Sequence, residues 1–488
     1  MGSKINDKLK GGKTPLLEEF RELEKNRAFD KILHKFHSIQ EQLKDITDRQ
    51  SAEILYIVAK AFFVNGNLDQ VQTLANRIIT WCDKEGIADL SLRVKSLEGV
   101  CFTAMGEYSK AEQIYTLLLK EKEALKDDYY KILMNFATVA YFQGKLNKAK
   151  ELYEEAYKFA LQKHLPTDQI LNNLSAVLLD MGYYYRALEL SNKVKEIKIK
   201  NNDWHGLVIS LDHLTLIYSN LGENNKAWES VLTALQIAEE KKFLRELAGI
   251  YSVKGLLEIR DFKFQEAVES LEKARVILSK IKVFDILPAV VFRLTFALQQ
   301  LNKYEEAEII IKEMEELSAK IQSYFLVTYT SIARGMNYYY LKKYLKAKRI
   351  FKRVIKTTKT FQQYRLFSET LLLVAFLLLL NDKVRLLKRV LKFGFKNTLE
   401  LKLNHYFILF ATSLMLFYLI NDKVSLAEKI FKTLIVEQKE SVLPDYSKEA
   451  IELYASYKKY ANKFGKKEVQ FKAYTLLFRI LQDSTGVL

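Results

Sequence analysis

Cysteine is almost absent from the 488 residues: Cys82 and Cys101 are the only two. That is too few for a disulfide framework and fits no metal-ligand spacing, so both are expected to be reduced structural thiols. The six histidines, His34, His37, His164, His205, His213 and His405, include no H-E-x-x-H pair, and no glycine-rich phosphate loop occurs. Zinc hydrolysis and nucleotide chemistry therefore lack the residues they require. His205, Asp212 and His213 come nearest to a cluster. His213, however, takes a position filled by Asn135 and Asn173 in earlier stretches of the same pattern, which favours a structural polar role. Carboxylate pairs such as Glu305-Glu306 and Glu315-Glu316 fall on solvent-facing helix positions. No catalytic residue, metal or cofactor is assigned, and the protein is expected not to be an enzyme.

Proline is scarce too, at four residues, and no Gly/Ser-rich linker or low-complexity stretch interrupts the chain. One elongated domain is the simplest reading. No run is long enough to cross a bilayer, which takes about 20 apolar residues in a helix. Leu371 to Leu380 is unbroken, and Tyr406 to Ile420 is interrupted by Thr412 and Ser413. Met1 to Asn6 has no signal-peptide core, and Asn6 fails the Ser/Thr requirement of a myristoylation motif. A cytoplasmic location is expected.

What the chain does have is a period. A small or turn-forming residue, then usually an aromatic or aliphatic two later, then Ala three after that, appears as Gly106 to Ala111, Gly144 to Ala149, Gly182 to Ala187 and Gly222 to Ala227. It continues with the glycine replaced at Phe262, Asn302, Lys342, Asp382 and Asp422, the Asp382 copy closing on Leu387, after a first copy from Gly66 to Val71. The closing residues 71, 111, 149, 187, 227, 267, 307, 347, 387 and 427 step by 40, twice by 38. Seven residues before each turn stands a second small site, as at Gly99, Ser175, Gly255 and Gly335, with Met415 the one exception. Small residues let helices approach closely, and the closing Ala is the expected partner. Apolar residues between turns recur at helical steps, as in Ala347, Ile350, Phe351 and Val354. Each unit reads as helix A, tight turn, helix B.

The small site, the turn and a large apolar residue four after the Ala (Tyr115, Tyr153, Leu271, Phe351) resemble the tetratricopeptide repeat (TPR). The 40-residue unit exceeds the usual length of about 34 and looks more like the repeats of MalT-type regulators and kinesin light chains. The resemblance implies an all-α superhelical solenoid of about ten to eleven helix-turn-helix repeats. Residues 51–440 would form the array, 15–50 and 441–488 its N- and C-terminal capping helices, and 1–14 a disordered basic tail. It also implies a non-enzymatic adaptor or scaffold that binds a protein or peptide in a concave groove lined by helix A.

By position, the groove residues implied are Lys60, Lys131 and Asn172 towards the N-terminus, then Tyr329, Met336, Tyr339, Tyr340, Leu372 and Phe376. The last six carry the anchoring, because aromatic and long apolar side chains fill pockets. Lys60, Lys131 and Asn172 are spread over different repeats and do not compose a carboxylate clamp. Apolar surface of this extent does not stay bare. Its cover is the chain's own cap, a second subunit, a ligand peptide or a membrane surface.

Charge supplies the other reading. The net charge is +17, and residues 341–402 hold 17 Lys/Arg against Glu369, Asp382 and Glu400. In register on successive B helices are Lys343 and Lys383; Arg349, Arg389 and Lys429; and Lys352, Lys392 and Lys432. Such rows suit an anionic surface, whether acidic protein, lipid or nucleic acid. Nucleic acid is disfavoured, since neither interleaved stacking aromatics nor a groove-reading motif is present. A further alternative is a sensory module that takes a small effector or a signalling protein. Self-association through the C-terminal apolar repeats completes the set.

Overall fold

The computed structural model describes residues 15–26, 28–281, 286–321, 324–437, 445–460 and 466–483. The basic tail expected at 1–14 lies outside them, as do 438–444 at the end of the array. All secondary structure among the described residues is helical. From Leu146 on, most helices of the array are 17 residues long and end in a turn of one geometry. At the turn before Tyr304, the Asn302 N–H donates to Gln299 O at 3.1 Å and the Lys303 N–H to Leu298 O at 2.9 Å. This double closure satisfies the last carbonyls of a helix and needs a left-handed residue between them. The left-handed positions fall at Gly182, Asn202, Gly222, Lys242 and Phe262, and again at Asn302, Lys342, Gln362, Asp382, Lys402 and Asp422. They are 20 residues apart where consecutive. The 40-residue period is therefore a doubled 20-residue one, with the same turn closing helix A and helix B.

The described residues divide after Phe136 into two compact units. The first contains Pro15–Lys25 (α1), Phe29–Ile39 (α2), Arg49–Val64 (α3), Leu68–Glu85 (α4), Ala88–Met105 (α5) and Tyr108–Leu118 (α6), and the start of Tyr129–Phe142 (α7). Both α1 and α2 pack on α3. Phe20 and Ile32 are fully buried there with Leu55 and Val58, and the Phe36 and Phe62 rings meet edge-on at 5.9 Å. Asp48 caps α3 by accepting the Ser51 N–H at 2.8 Å. Cys82 and Cys101 are free and buried. Burial pushes their thiols up to about 11 and about 12, so neither forms a nucleophilic thiolate near neutrality. After Leu118 short helical turns through Asp128 replace the rest of helix B. This is where the step falls from 40 to 38.

The second unit continues with Leu146–Gln162 (α8), Asp168–Asp180 (α9), Tyr184–Lys200 (α10), Trp204–Asn220 (α11), Asn224–Glu240 (α12), Leu244–Arg260 (α13), Phe264–Ile281 (α14), Leu287–Gln300 (α15) and Tyr304–Ile321 (α16). It ends with Tyr324–Tyr340 (α17), Tyr344–Thr360 (α18), Tyr364–Leu380 (α19), Val384–Glu400 (α20), Asn404–Ile420 (α21), Val424–Glu437 (α22), Asp445–Tyr460 (α23) and Lys466–Asp483 (α24). Each helix packs on the next, and the A helices α9, α11, α13, α15 and α17 also touch one another in turn. Among the described residues no B helix packs on the next B helix to that extent. The A helices thus form the tight inner layer, and the B helices splay on the outer one.

Large side chains fill the gaps over the small sites. A Cβ on Gly255 would come within 2.6 Å of Leu271, and one on Gly335 within 2.9 Å of Phe351. In the first unit Gly99 faces Tyr115 in the same way, at 2.6 Å. The close partner is thus the large residue four after the closing Ala, one helical turn beyond the position expected from the sequence. At Ser175 the hydroxyl instead donates to Ala187 O at 2.9 Å.

The C-terminal helix departs from the alternation. α24 packs on α21 and α19, both A helices, so it lies on the inner layer. Phe478 meets the Phe376 ring edge-on at 5.4 Å, and Gln470 Nε2 donates to Ile420 O at 3.2 Å. The apolar inner surface of α19 and α21 is covered by the chain itself.

Candidate functional site

Ahead of that covered region the inner layer of the second unit carries a group of polar side chains, which ends at Phe292 and Tyr329. One register position, three residues before the small site, carries Asn172 on α9, Asp212 on α11 and Ser252 on α13. The next position carries His213 on α11 and Arg293 on α15. Because the A helices touch in sequence, these side chains follow one another along a single strip. Arg293 Nη1 donates to Ser252 Oγ at 2.8 Å, while its Nε has no partner. Asp212 Oδ1 and Asn172 Oδ1 are buried and also without one. Asp212 makes no ion pair among the described residues, although it lies within electrostatic reach of Arg293.

Each charged group here is held against its preference. Burial drives the Asp212 carboxyl up to about 7, with Arg293 pulling the other way. The same burial brings the Arg293 guanidinium down to about 10, opposed chiefly by Asp212. Desolvation lowers His213 to about 4, so the ring is neutral at pH 7, and its Nδ1 has no partner. A buried polar atom left unpaired costs about 1–3 kcal/mol. Several on one strip describe a surface ready to accept polar groups from outside the chain.

A second polar cluster joins the beginning of this unit to its later repeats. Tyr141 OH donates to Asp180 Oδ2 at 2.6 Å, and Arg365 Nη1 lies 3.0 Å from the same oxygen. Arg365 Nε also reaches Glu369 Oε1 at 2.8 Å, and its guanidinium lies over the Tyr141 ring, 4.6 Å from the centroid. Gly144 makes this approach feasible: a Cβ there would stand 2.8 Å from Arg365 N and 3.1 Å from Tyr406. Its φ of +80° independently favours glycine. His405, beside the cluster, is brought down to about 4 by burial. The second unit closes on itself at this point: Asp180 on α9 meets Arg365 on α19, and the B helix α8 touches α21.

The groove residues implied by sequence have separate fates. Lys60 pairs with Glu24 and lies over the Tyr56 ring at 4.4 Å, and Lys131 pairs with Asp128 at 2.7 Å. Both belong to the first unit, whereas Asn172 belongs to the second. Tyr329 packs its ring against Phe292 at 5.7 Å. Tyr339 donates its hydroxyl to Leu377 O at 2.6 Å, and Tyr340 accepts from Gln300 Nε2 at 2.8 Å. These two hydroxyls tie one repeat to the next. Met336 and Leu372 are buried, and Phe376, 5% exposed, lies beneath α24. A ligand reaches Phe376 only by displacing that helix. Asp212 falls on an inward helix A position and in the His205, Asp212 and His213 group legible in the sequence, although neither it nor Arg293 is among the groove residues implied there.

On the outer layer, Lys343, Arg349, Lys352, Lys383, Arg389, Lys392, Lys429 and Lys432 are all exposed. Lys432 pairs with Glu428 at 3.3 Å. The first six have no ion pair among the described residues. No helix among the described residues is long and apolar enough to cross a membrane.

No family model matches the sequence, and no curated protein matches it. Solved structures do. A Rap protein complexed with competence and sporulation factor is 15% identical and covers 80% of this chain and 100% of its own, with a TM-score of 0.50. NprR in complex with its cognate peptide NprX is 12% identical, covers 64% and 96%, and has a TM-score of 0.44. A tetratricopeptide repeat protein from Parabacteroides merdae is 18% identical, covers 57% and 98%, and has a TM-score of 0.36. At these identities the likeness is one of fold. The doubled turn, the paired helices and the match in architecture together make this chain a tetratricopeptide-like helical-repeat protein.

Proposed function

We propose that the chain is a non-enzymatic binder, acting in the cytoplasm, whose second unit takes a short peptide along the strip from Asn172 to Arg293, with Tyr329 at its end. The observation that carries this reading is the pair of opposed, incompletely partnered charges, Asp212 and Arg293, on one inner strip. An extended peptide supplies what they lack: amide N–H and C=O groups for Asn172 and Ser252, a cation for Asp212 and an anion or carbonyl for Arg293. The Rap protein of like fold is complexed with competence and sporulation factor. That is a fact about that protein, and the reading here rests on the inner strip.

Selection from a random octapeptide library on the purified chain tests it. Peptides enriched by the wild type should carry Lys, Arg or a required free amino terminus, and Asp212→Asn should lose them. Enrichment of the same peptides by Asp212→Asn, or none by the wild type, would remove the proposal.

A further inference from the structure

The turns entering α18, α20 and α22 lie on one edge of the second unit. They share the left-handed geometry at Lys342, Asp382 and Asp422, and the helices that they join pack in unbroken sequence. Each turn presents an exposed cation, Lys343, Lys383 or Lys423, at the same register position. Beside each cation stands apolar surface turned to water. Leu345 is 75% exposed, and Leu386, Tyr344, Val384 and Leu426 are exposed as well. The corresponding turn of α16 carries Glu305 and Glu306 after its tyrosine, and in that of α14 the cation Lys263, beside the exposed aromatic Phe262, lies 3.8 Å from Asp261 and is followed by Glu266. The pairing of cation with bare aliphatic tip thus belongs to the last three turns.

We propose that this edge is a docking surface for an anionic lipid bilayer, with Leu345 and Leu386 entering the acyl boundary and Lys343, Lys383 and Lys423 meeting lipid headgroups. The chemistry distinguishes this partner from others that would suit the charge. Aliphatic tips on separate turns give no stacking platform for bases, which nucleic-acid grooves build from aromatic rings. Nor do they form the contiguous, pocketed apolar centre that a protein interface needs. A bilayer accepts separate apolar tips because each sinks independently, while Lys remains at the interface with its charge hydrated. Anionic headgroups attract clustered Lys/Arg over a Debye length. The inference is independent of the inner strip.

Co-sedimentation of the full chain with vesicles tests it, using phosphatidylcholine alone and phosphatidylcholine with about 30% phosphatidylserine. Binding is expected only to the anionic vesicles and should fall steeply in about 0.5 M salt. Lys343→Glu with Lys383→Glu should abolish it. Leu345→Gln with Leu386→Gln should weaken it at least about tenfold, with the helical circular dichroism of both variants unchanged. These side chains are exposed, so the variants retain the core. Failure to bind the anionic vesicles overturns the proposal, as does binding that the leucine variant leaves intact. In the latter case, equal affinity for polyglutamate or single-stranded RNA would identify a surface that reads charge alone.

Discussion

Arg365 Nη1 lies 3.0 Å from Asp180 Oδ2 although the two residues sit on α19 and α9, with Asp212, Ser252 and Arg293 of the inner strip between them in sequence. The guanidinium also holds Glu369 at 2.8 Å, so one cation neutralises two carboxylates. Arg365→Ala would leave both carboxylates uncompensated, at a cost of about 3–5 kcal/mol. Urea denaturation should show the midpoint falling accordingly. Arg365→Lys should recover only part, since an ammonium cannot span both carboxylates as the planar fork does.

Asp212 sets a pH dependence of definite sign. Its carboxyl titrates near 7 in the fold against 3.8 in an unfolded chain, so the folded state holds the proton more tightly. This contribution to stability is full below pH 4 and disappears as pH rises through 7. His213 and His405, lowered to about 4, act oppositely: theirs is full above pH 6.5 and lost as pH falls towards 4. Asp212→Asn should therefore raise the melting temperature at pH 8 and change it little at pH 5. Each pKa unit that survives solvent screening is worth about 1.4 kcal/mol. A variant less stable than the wild type at pH 8 would contradict the desolvated carboxylate.

The left-handed turn residues offer a stabilising change. Phe262 and Lys342 have φ of +59° and +58°, where a Cβ costs about 1–2 kcal/mol. Glycine relieves this at the expense of unfolded-chain entropy. Phe262→Gly and Lys342→Gly should each raise stability by about 0.5–1 kcal/mol, and Gly222→Ala should lower it by a similar amount. Thermal melts of the single variants check the sign.

Removing α24 should uncover the surface over Phe376. A chain ending before Lys466 is expected to bind a hydrophobic dye more strongly and to self-associate, because Leu372, Phe376 and the inner side of α21 lose their cover. Unchanged dye binding and a monomeric elution profile would show that α24 does not shield this surface.

The repeat was legible because its turns and small sites mark every unit, and so the helix pairs, their order and the array follow from residues such as Gly106 and Ala111. The second, identical turn is not legible in the sequence because Asn202, Lys242 and Gln362 carry no glycine to mark it. The aromatic anchors read from α17 and α19 stand on inward positions, but occupancy of those positions depends on where α24 folds, which no local pattern encodes. Asp212 and Arg293 acquire meaning from their neighbours' failure to pair with them. That is a property of packing across repeats, and single residues in a sequence do not display it.

Hydrogen exchange of the full chain, with and without a peptide selected on it, bears most directly on the inner strip. Slowed exchange confined to α9, α11, α13 and α15, and absent from Asp212→Asn, is the predicted result. Slowed exchange in α18 and α20, with the inner helices unaffected, would contradict the account.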